Sequence, residues 1–365
     1  MWALKNIFFK KFQPSGVYQN FWNWFQKNEK EFHAVIKNKS HIEEVVVNPL
    51  SAKLHELGKE IHYLTGMNSS TTVELILTAN GVIKNIAFVE ELVKAAPKIK
   101  GWKFTALKPA IDIKDIAIDM SGYTFKSENI WFYVNERPEY PDEIDIVVVH
   151  EDFTDDNRQA ITNGVHTFLD KYIGELNFAV TIDNLKVTGK RSATRKLIPV
   201  EKLRTYLKWR EKEFVEKYDD VRRNTQNDQY ATLKAQLKNG SFLIATMNMD
   251  LLEWDRKASH PWIGAFGIKY KSEHNHGMPD KATSVMLNMI EEKICDHLKC
   301  HDGYLNVGRQ TAEDTREIYF ACKDFRKPSI VFDKVKEDFA DKFEISYNIY
   351  KDKYWRSFDR FKETK

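Results

Sequence analysis

The sequence predicts an α+β protein of two ferredoxin-like α/β-sandwich layers, joined by a long helix and preceded by two extra helices. Three patterns carry this expectation. The first half holds two β-α-β runs, a long polar helical stretch follows, and the last third reads ββαββαβ. A chain of 365 residues accommodates about two domains. The expected boundaries are an N-terminal α+β domain over 1–198, a helical connector over 199–238 and a C-terminal ferredoxin-like domain over 239–365.

Residues 18–65 read as two helices. "YQNFWNWFQKNEKEFHAVIK" puts Phe21, Trp24, Phe25, Phe32 and Val35 on one stripe. "LSAKLHELGKEIHYLTG" repeats the pattern with Leu50, Leu54, Leu57, Ile61 and Leu64, and Gly66 is the expected stop. The first β-α-β follows over Thr71–Pro109, from "TTVELILTANG" through "NIAFVEELVKAAP" to "GWKFTALKP". "DIAIDM" and "NIWFYVNE" read as strands. "EIDIVVVHE", a helix and "LNFAVTIDNLKV" make the second β-α-β, packed with the first on one sheet.

In the C-terminal part, "GSFLIATMNMD" and "IGAFGIKYK" are strands, and "KATSVMLNMIEEKICDHLK" is a helix capped by Asp280. "GYLNVGRQTAEDTREIYFACKD" is a hairpin, "SIVFDKVKEDFADKF" a helix capped by Ser329, and "EISYNIYKD" the last strand. Side-chain alternation sets the hairpin register. An even-numbered loop pairs Thr311 with Arg316, Arg309 with Ile318, Val307 with Phe320 and Leu305 with Cys322, giving one apolar face. Arg309 and Arg316 then sit at its turn end. They either snorkel over the rim of the core, paired with Glu313, Asp314 or Glu317, or form an anion-binding rim.

Other candidates are weaker. His150, with Glu151 and Asp152, ends a buried strand, where α/β sites often lie; the acidic run equally serves to cap the next helix. His274 and His276 occupy a loop before a helix. In "CDHLKCHDG", Cys295 and Cys300 point about 140° apart on a helix, so the segment lacks zinc-ligand spacing. "KVTGKRSATRKLIPVEKLRTYLKWR" concentrates Lys186, Lys190, Arg191, Arg195, Lys196, Lys202, Arg204, Lys208 and Arg210 around the single acid Glu201. It is either a nucleic-acid footprint or a solvated connector.

Several classes are set aside. Net charge is only +3, so no field covers the whole molecule. There is no phosphate-binding glycine loop, HExxH, GxSxG or CxxC. Three cysteines are too few for a disulfide framework and point to a reducing compartment. No run reaches membrane-span length, and "MWALKNIFFKKF" reads as a docking arm rather than a secretion signal. The expected location is the cytoplasm, with no cofactor and no metal.

The C-terminal part resembles a bacterial domain family of unknown function, number 695 in its series. The resemblance rests on "NGSFLIATMNMDLLEWDRKASHPWIGAFGIKY", "IEEKICDHL", "GRQTAEDTREIYFACKD" and the ending "KDKYWRSFDRF". In that ending Asp352, Trp355, Phe358 and Phe361 follow the family's acid-x-x-Trp-x-x-aromatic-x-x-Phe pattern, with Phe358 where a tyrosine is commoner. It covers roughly residues 235–362 and implies no established activity. Its outline is similar to that of the regulator of ribonuclease E activity B, a ferredoxin-like nuclease inhibitor. "FWNWF", "LTANG" and "APKIKGWKFTALKP" resemble uncharacterised bacterial proteins. These resemblances supply no role; from two compact layers, the absence of a catalytic motif and the high aromatic content, the expected function is a non-catalytic partner-binding or regulatory module. An unrecognised hydrolase or transferase, or an RNA-associated protein using the basic stretch, are the alternatives.

Overall fold

Aromatic residues at helical spacing organise the start of the chain. The computed structural model describes residues 16–272 and 276–362; the predicted docking arm lies outside the described residues. Contacts divide the chain into two units. One comprises residues up to Ala110 with Gly174–Leu176, the other Ile111–Ile173 with Asn177–Lys365. The sequence-based connector, 199–238, therefore falls inside the second unit.

In the first unit, α1 (Gly16–Asn38) buries Phe21, Trp22, Phe25, Phe32 and Ile36. The stripe is rotated from expectation: Trp22 and Ile36 are central, and Trp24 and Val35 flank it. Trp22 also donates to the Leu92 carbonyl at 2.7 Å, which satisfies its buried N–H. A π-helical turn (Glu43–Val47) leads into α2 (Asn48–His55). The second predicted helix stops there, because Gly58 turns the chain with φ +66. Residues read as its last turns instead form β1 (His62–Met67), antiparallel to β2 (Val73–Thr78). α3 (Ile83–Lys94) then crosses to β3 (Trp102–Ala106), parallel to β2, as predicted. The buried Glu175 carboxylate accepts from Thr78 Oγ1, Gly81 N and Lys108 N at 2.6–3.0 Å, which fixes the turn after β2.

The second unit opens with a short hairpin, β4 (Ile118–Met120) and β5 (Tyr123–Phe125). β6 (Ile130–Val134), β7 (Asp145–His150), α4 (Arg158–Ile173), α5 (Glu175–Thr181, its first two residues in the first unit), β8 (Asn184–Gly189) and β9 (Ile198–Pro199) follow. Their sheet runs β8-β7-β6-β9, with β7 and β8 parallel. The two β-α-β runs thus belong to separate sheets, correcting the expectation of one. Each parallel pair closes over its own helix and its own core. "LNFAVT", read as the start of a strand, is α5.

The connector helix, α6 (Leu203–Tyr218), is shorter than predicted. "YATLKAQ" (Tyr230–Gln236), expected to lie in the helical connector, is β10, paired with β11 (Phe242–Asn248). α7 (Met249–Leu252), β12 (Trp262–Lys269), α8 (Lys281–His297), β13 (Tyr304–Ala312), β14 (Thr315–Cys322), α9 (Arg326–Asp338) and β15 (Glu344–Lys351) complete the unit. Its larger sheet is antiparallel throughout, in the order β10-β11-β13-β14-β12-β15. Asp280 caps α8 by accepting from Thr283 N. α9 begins earlier than expected, after Phe325, and Ser329 lies inside it, bonded back to the Phe325 carbonyl.

The β13–β14 loop has two residues, Glu313 and Asp314, both at positive φ. The predicted register holds from the turn to Gly308. There a bulge inserts Val307, so Asn306 faces Phe320 and Leu305 faces Ala321. A side chain on Gly308 would lie 2.4 Å from the Thr246 carbonyl, so the bulge requires glycine against β11. The slip makes both faces apolar. Ile318 and Phe320 face the helices, where Phe332 of α9 packs against Phe266 and Phe320. Leu305, Val307, Tyr319 and Ala321 line the second face, with Trp355, Phe358 and Phe361 over them.

Candidate functional site

Arg309 and Arg316 point to the helix side of the sheet, beneath α8, rather than to an exposed rim. Helical spacing brings Asn288, Glu291, Glu292 and Cys295 along one flank of α8, and with Arg309 they line a cleft of about 250 Å³. Arg309 Nη1 bonds Glu291 Oε2 at 2.7 Å, and Asn306 Nδ2 bonds Glu291 Oε1 at 3.0 Å. Arg316 is only 7% exposed. Its Nε donates to Thr311 Oγ1 (3.1 Å) and its Nη1 to Asn288 Oδ1 (2.8 Å). Burial, and then the charge of Arg309, lower the Arg316 pKa. Neither arginine pairs with the turn acids named from the sequence. Glu291 thus ties Arg309 and Asn306 to α8, and Asn288 ties Arg316, so the cluster locks α8 to the sheet. Burial also raises the Cys295 pKa, keeping its sulfur a thiol against Asn306.

Beside this cleft the helix-side face of β10 and β11 has no helix over it among the described residues. Register places Tyr230, Phe242, Ile244, Thr246 and Asn248 on that face, with Arg309. Tyr230 is 51% exposed and Phe242 46%, while Val285 (52%) and Met289 (54%) are exposed on α8. The result is a mixed platform, with Tyr230 and Phe242 exposed at its ends, Thr232, Lys234 and Gln236 along β10, and the Glu291–Arg309 pair in its wall.

The other sequence candidates are not brought to this place. His150 is fully buried; its Nε2 lies 3.2 Å from the Thr124 carbonyl and its Nδ1 accepts from Asp152 N. Burial lowers its pKa, so it is a neutral strand-end packing group with both nitrogens occupied. Glu151 pairs with Lys190 at 2.8 Å and Asp155 with Arg158. His274 lies outside the described residues; His276 is exposed and meets Phe242 edge-on at 6.0 Å. In the basic stretch, Lys190 sits 4.0 Å over the Trp131 ring, Arg204 binds the Ile111 and Tyr172 carbonyls, and Arg210 binds the Pro141 carbonyl. Lys186, Arg191, Arg195, Lys196, Lys202 and Lys208 are exposed, as is Trp209. Among the described residues no group of three or more His, Cys, Asp or Glu could hold a metal, and the three cysteines are free.

Sequence reasoning missed an ion cluster in the second unit. Asp183 takes both Lys351 and Lys353 at 2.8 Å, and Arg356 pairs with Glu143 at 2.6 Å. Asp142 accepts from Lys217, Tyr218 and Tyr354. Burial alone would raise the Asp142 pKa, but these three bonds outweigh it and hold it down.

"KDKYW" begins the closing segment. Asp352 accepts from Arg356 N and Ser357 N, turning the chain so that Trp355, Phe358 and Phe361 fall on the sheet's second face. Trp355 adopts φ +54 and donates to the His260 carbonyl at 2.9 Å. The acid-Trp-Phe-Phe spacing is therefore a lid over a core. Residues 234–361 match the model of the family of unknown function DUF695. The DUF695 region thus takes in only the last three residues of β10, the rest of its sheet and the closing aromatics. No curated protein and no solved structure matches the chain. No helix among the described residues is long and apolar enough to cross a membrane.

Proposed function

We propose that the protein is a non-catalytic module that binds a partner protein, seating an amphipathic helix of that partner on the open face of β10 and β11. One observation carries this reading: a sheet face beside α8 that no helix covers among the described residues leaves the aromatic side chains of Tyr230 and Phe242 exposed. A third helix beside α8 and α9 would complete the layer, and helix-in-groove binding uses apolar anchors at such spacing. Within the DUF695 region, β12, α8, β13, β14, α9 and β15 have the order β15-β12-β14-β13, which supports a ferredoxin-like core extended by β10 and β11. The occupied nitrogens of His150 weigh against a base there.

A photo-crosslinking side chain at Tyr230 or Phe242 of the full chain, expressed in cells, tests this. A discrete protein adduct is expected at those positions and not at Lys336 on α9. Equal labelling at Lys336, or no adduct, overturns the reading. The exposed lysines and arginines around Trp209 support a second reading, RNA association, whose affinity must fall steeply with salt.

A further inference from the structure

β10 is an edge strand with an open hydrogen-bonding side. It pairs only with β11 among the described residues. The Gln229 carbonyl accepts from Met249 N, and Leu237 N donates to the Ser241 carbonyl, both toward β11. In an antiparallel pair, alternate residues direct both backbone groups to the same side. The odd-numbered positions from 229 to 237 thus face β11. Tyr230, Thr232, Lys234 and Gln236 aim their N–H and C=O groups outward. The usual protections of an edge are sparse here: the strand has no proline, its pairing with β11 has no bulge, and Lys234 is its one charge.

We propose that this edge pairs with the same edge of a second copy of the chain, antiparallel and centred on Leu233. The register follows from the outward positions, which must meet each other. Centring on Leu233 sets Tyr230 opposite Gln236 and Thr232 opposite Lys234, so every outward residue exchanges both its bonds. A shift of two residues one way sets Lys234 against Lys234. The opposite shift leaves Gln236 without its partner in the strand. On the second face, Leu233 meets Leu233 and Ala231 meets Ala235, extending the core against which Leu233 already packs. The pairing is two-fold and self-complementary, so it closes as a dimer instead of propagating.

Light scattering of the full chain across a concentration series tests the pairing. Twice the chain mass is expected. Thr232→Pro removes only an outward N–H and should convert the dimer to monomer with the thermal midpoint of the monomer unchanged. Thr232→Lys sets lysines opposite one another and should weaken dimerisation at least tenfold, and adding Lys234→Glu should restore it. A monomer at every concentration overturns the proposal, as does a dimer indifferent to all three variants. Phe242→Asp should leave the dimer intact, so failure here is separable from failure of the helix-docking reading.

Discussion

His260 should make this protein acid-labile in a definable window. Its ring is fully buried beside Trp254. Ser259 Oγ donates to the Arg256 carbonyl, so it accepts from His260 Nδ1 at 2.8 Å. Nε2 is then a bare acceptor, buried and without a partner. Burial first, and then the charges of Lys323 and Arg222, push the His260 pKa down to about 3. The unfolded chain takes up this proton near pH 6.5, whereas the folded chain refuses it until about pH 3. Below pH 6.5 the unfolded state therefore binds more protons, and stability falls as pH falls through that window. The full loss is about 5 kcal/mol, of which about 3 kcal/mol is reached by about pH 4.5. His260→Leu removes the titration and costs about 1 kcal/mol for the Ser259 bond. Urea unfolding at neutral and acidic pH should show the difference between variant and parent moving by about 3 kcal/mol in the variant's favour. A difference that is the same at both pH values would refute the reasoning.

Two further outcomes follow from charges buried with specific partners. Glu291→Ala removes the carboxylate bonded to Arg309 and leaves the buried Arg316 beside an unneutralised charge. Arg309 is a third exposed, so the change should cost about 2 kcal/mol in chemical unfolding, and Glu291→Met with Arg309→Met should cost less than the single change. Burial, opposed by Asp183, lowers the Lys351 pKa to about 8. Because the unfolded chain holds that proton to higher pH, stability from this group should rise from about pH 8 to the ordinary lysine range. Lys351→Met should flatten that rise in a pH series of melting curves.

Periodicity made most elements of the DUF695 region legible, because each has a strong apolar rhythm and a clear turn. β10 was not, since "YATLKAQ" has helical composition and only its pairing with β11 makes it a strand. β1 was hidden for a related reason: leucines at helical spacing continue past Gly58, and Leu64 proves to be exposed. The hairpin turn and half its register followed from parity. The bulge did not, because it depends on how closely β11 approaches Gly308. For the same reason Arg309 and Arg316 were rightly placed on one face but given the wrong neighbours. Their partners sit on α8, which local sequence cannot align with the hairpin. The open platform was invisible altogether, because it depends on which strands the helices leave uncovered and no single residue marks that.

The closing aromatics have a consequence for biosynthesis. The helix side of the large sheet can be covered as soon as α9 leaves the ribosome, but Leu305, Tyr319 and Ala321 on its other side wait for Trp355, Phe358 and Phe361. Until those residues emerge, a nascent chain with all its strands made still shows an oily surface to the cell. Such intermediates attract chaperones and aggregate. A ribosome stalled just before Trp355 would therefore release a product far more hazardous than one stalled a domain earlier.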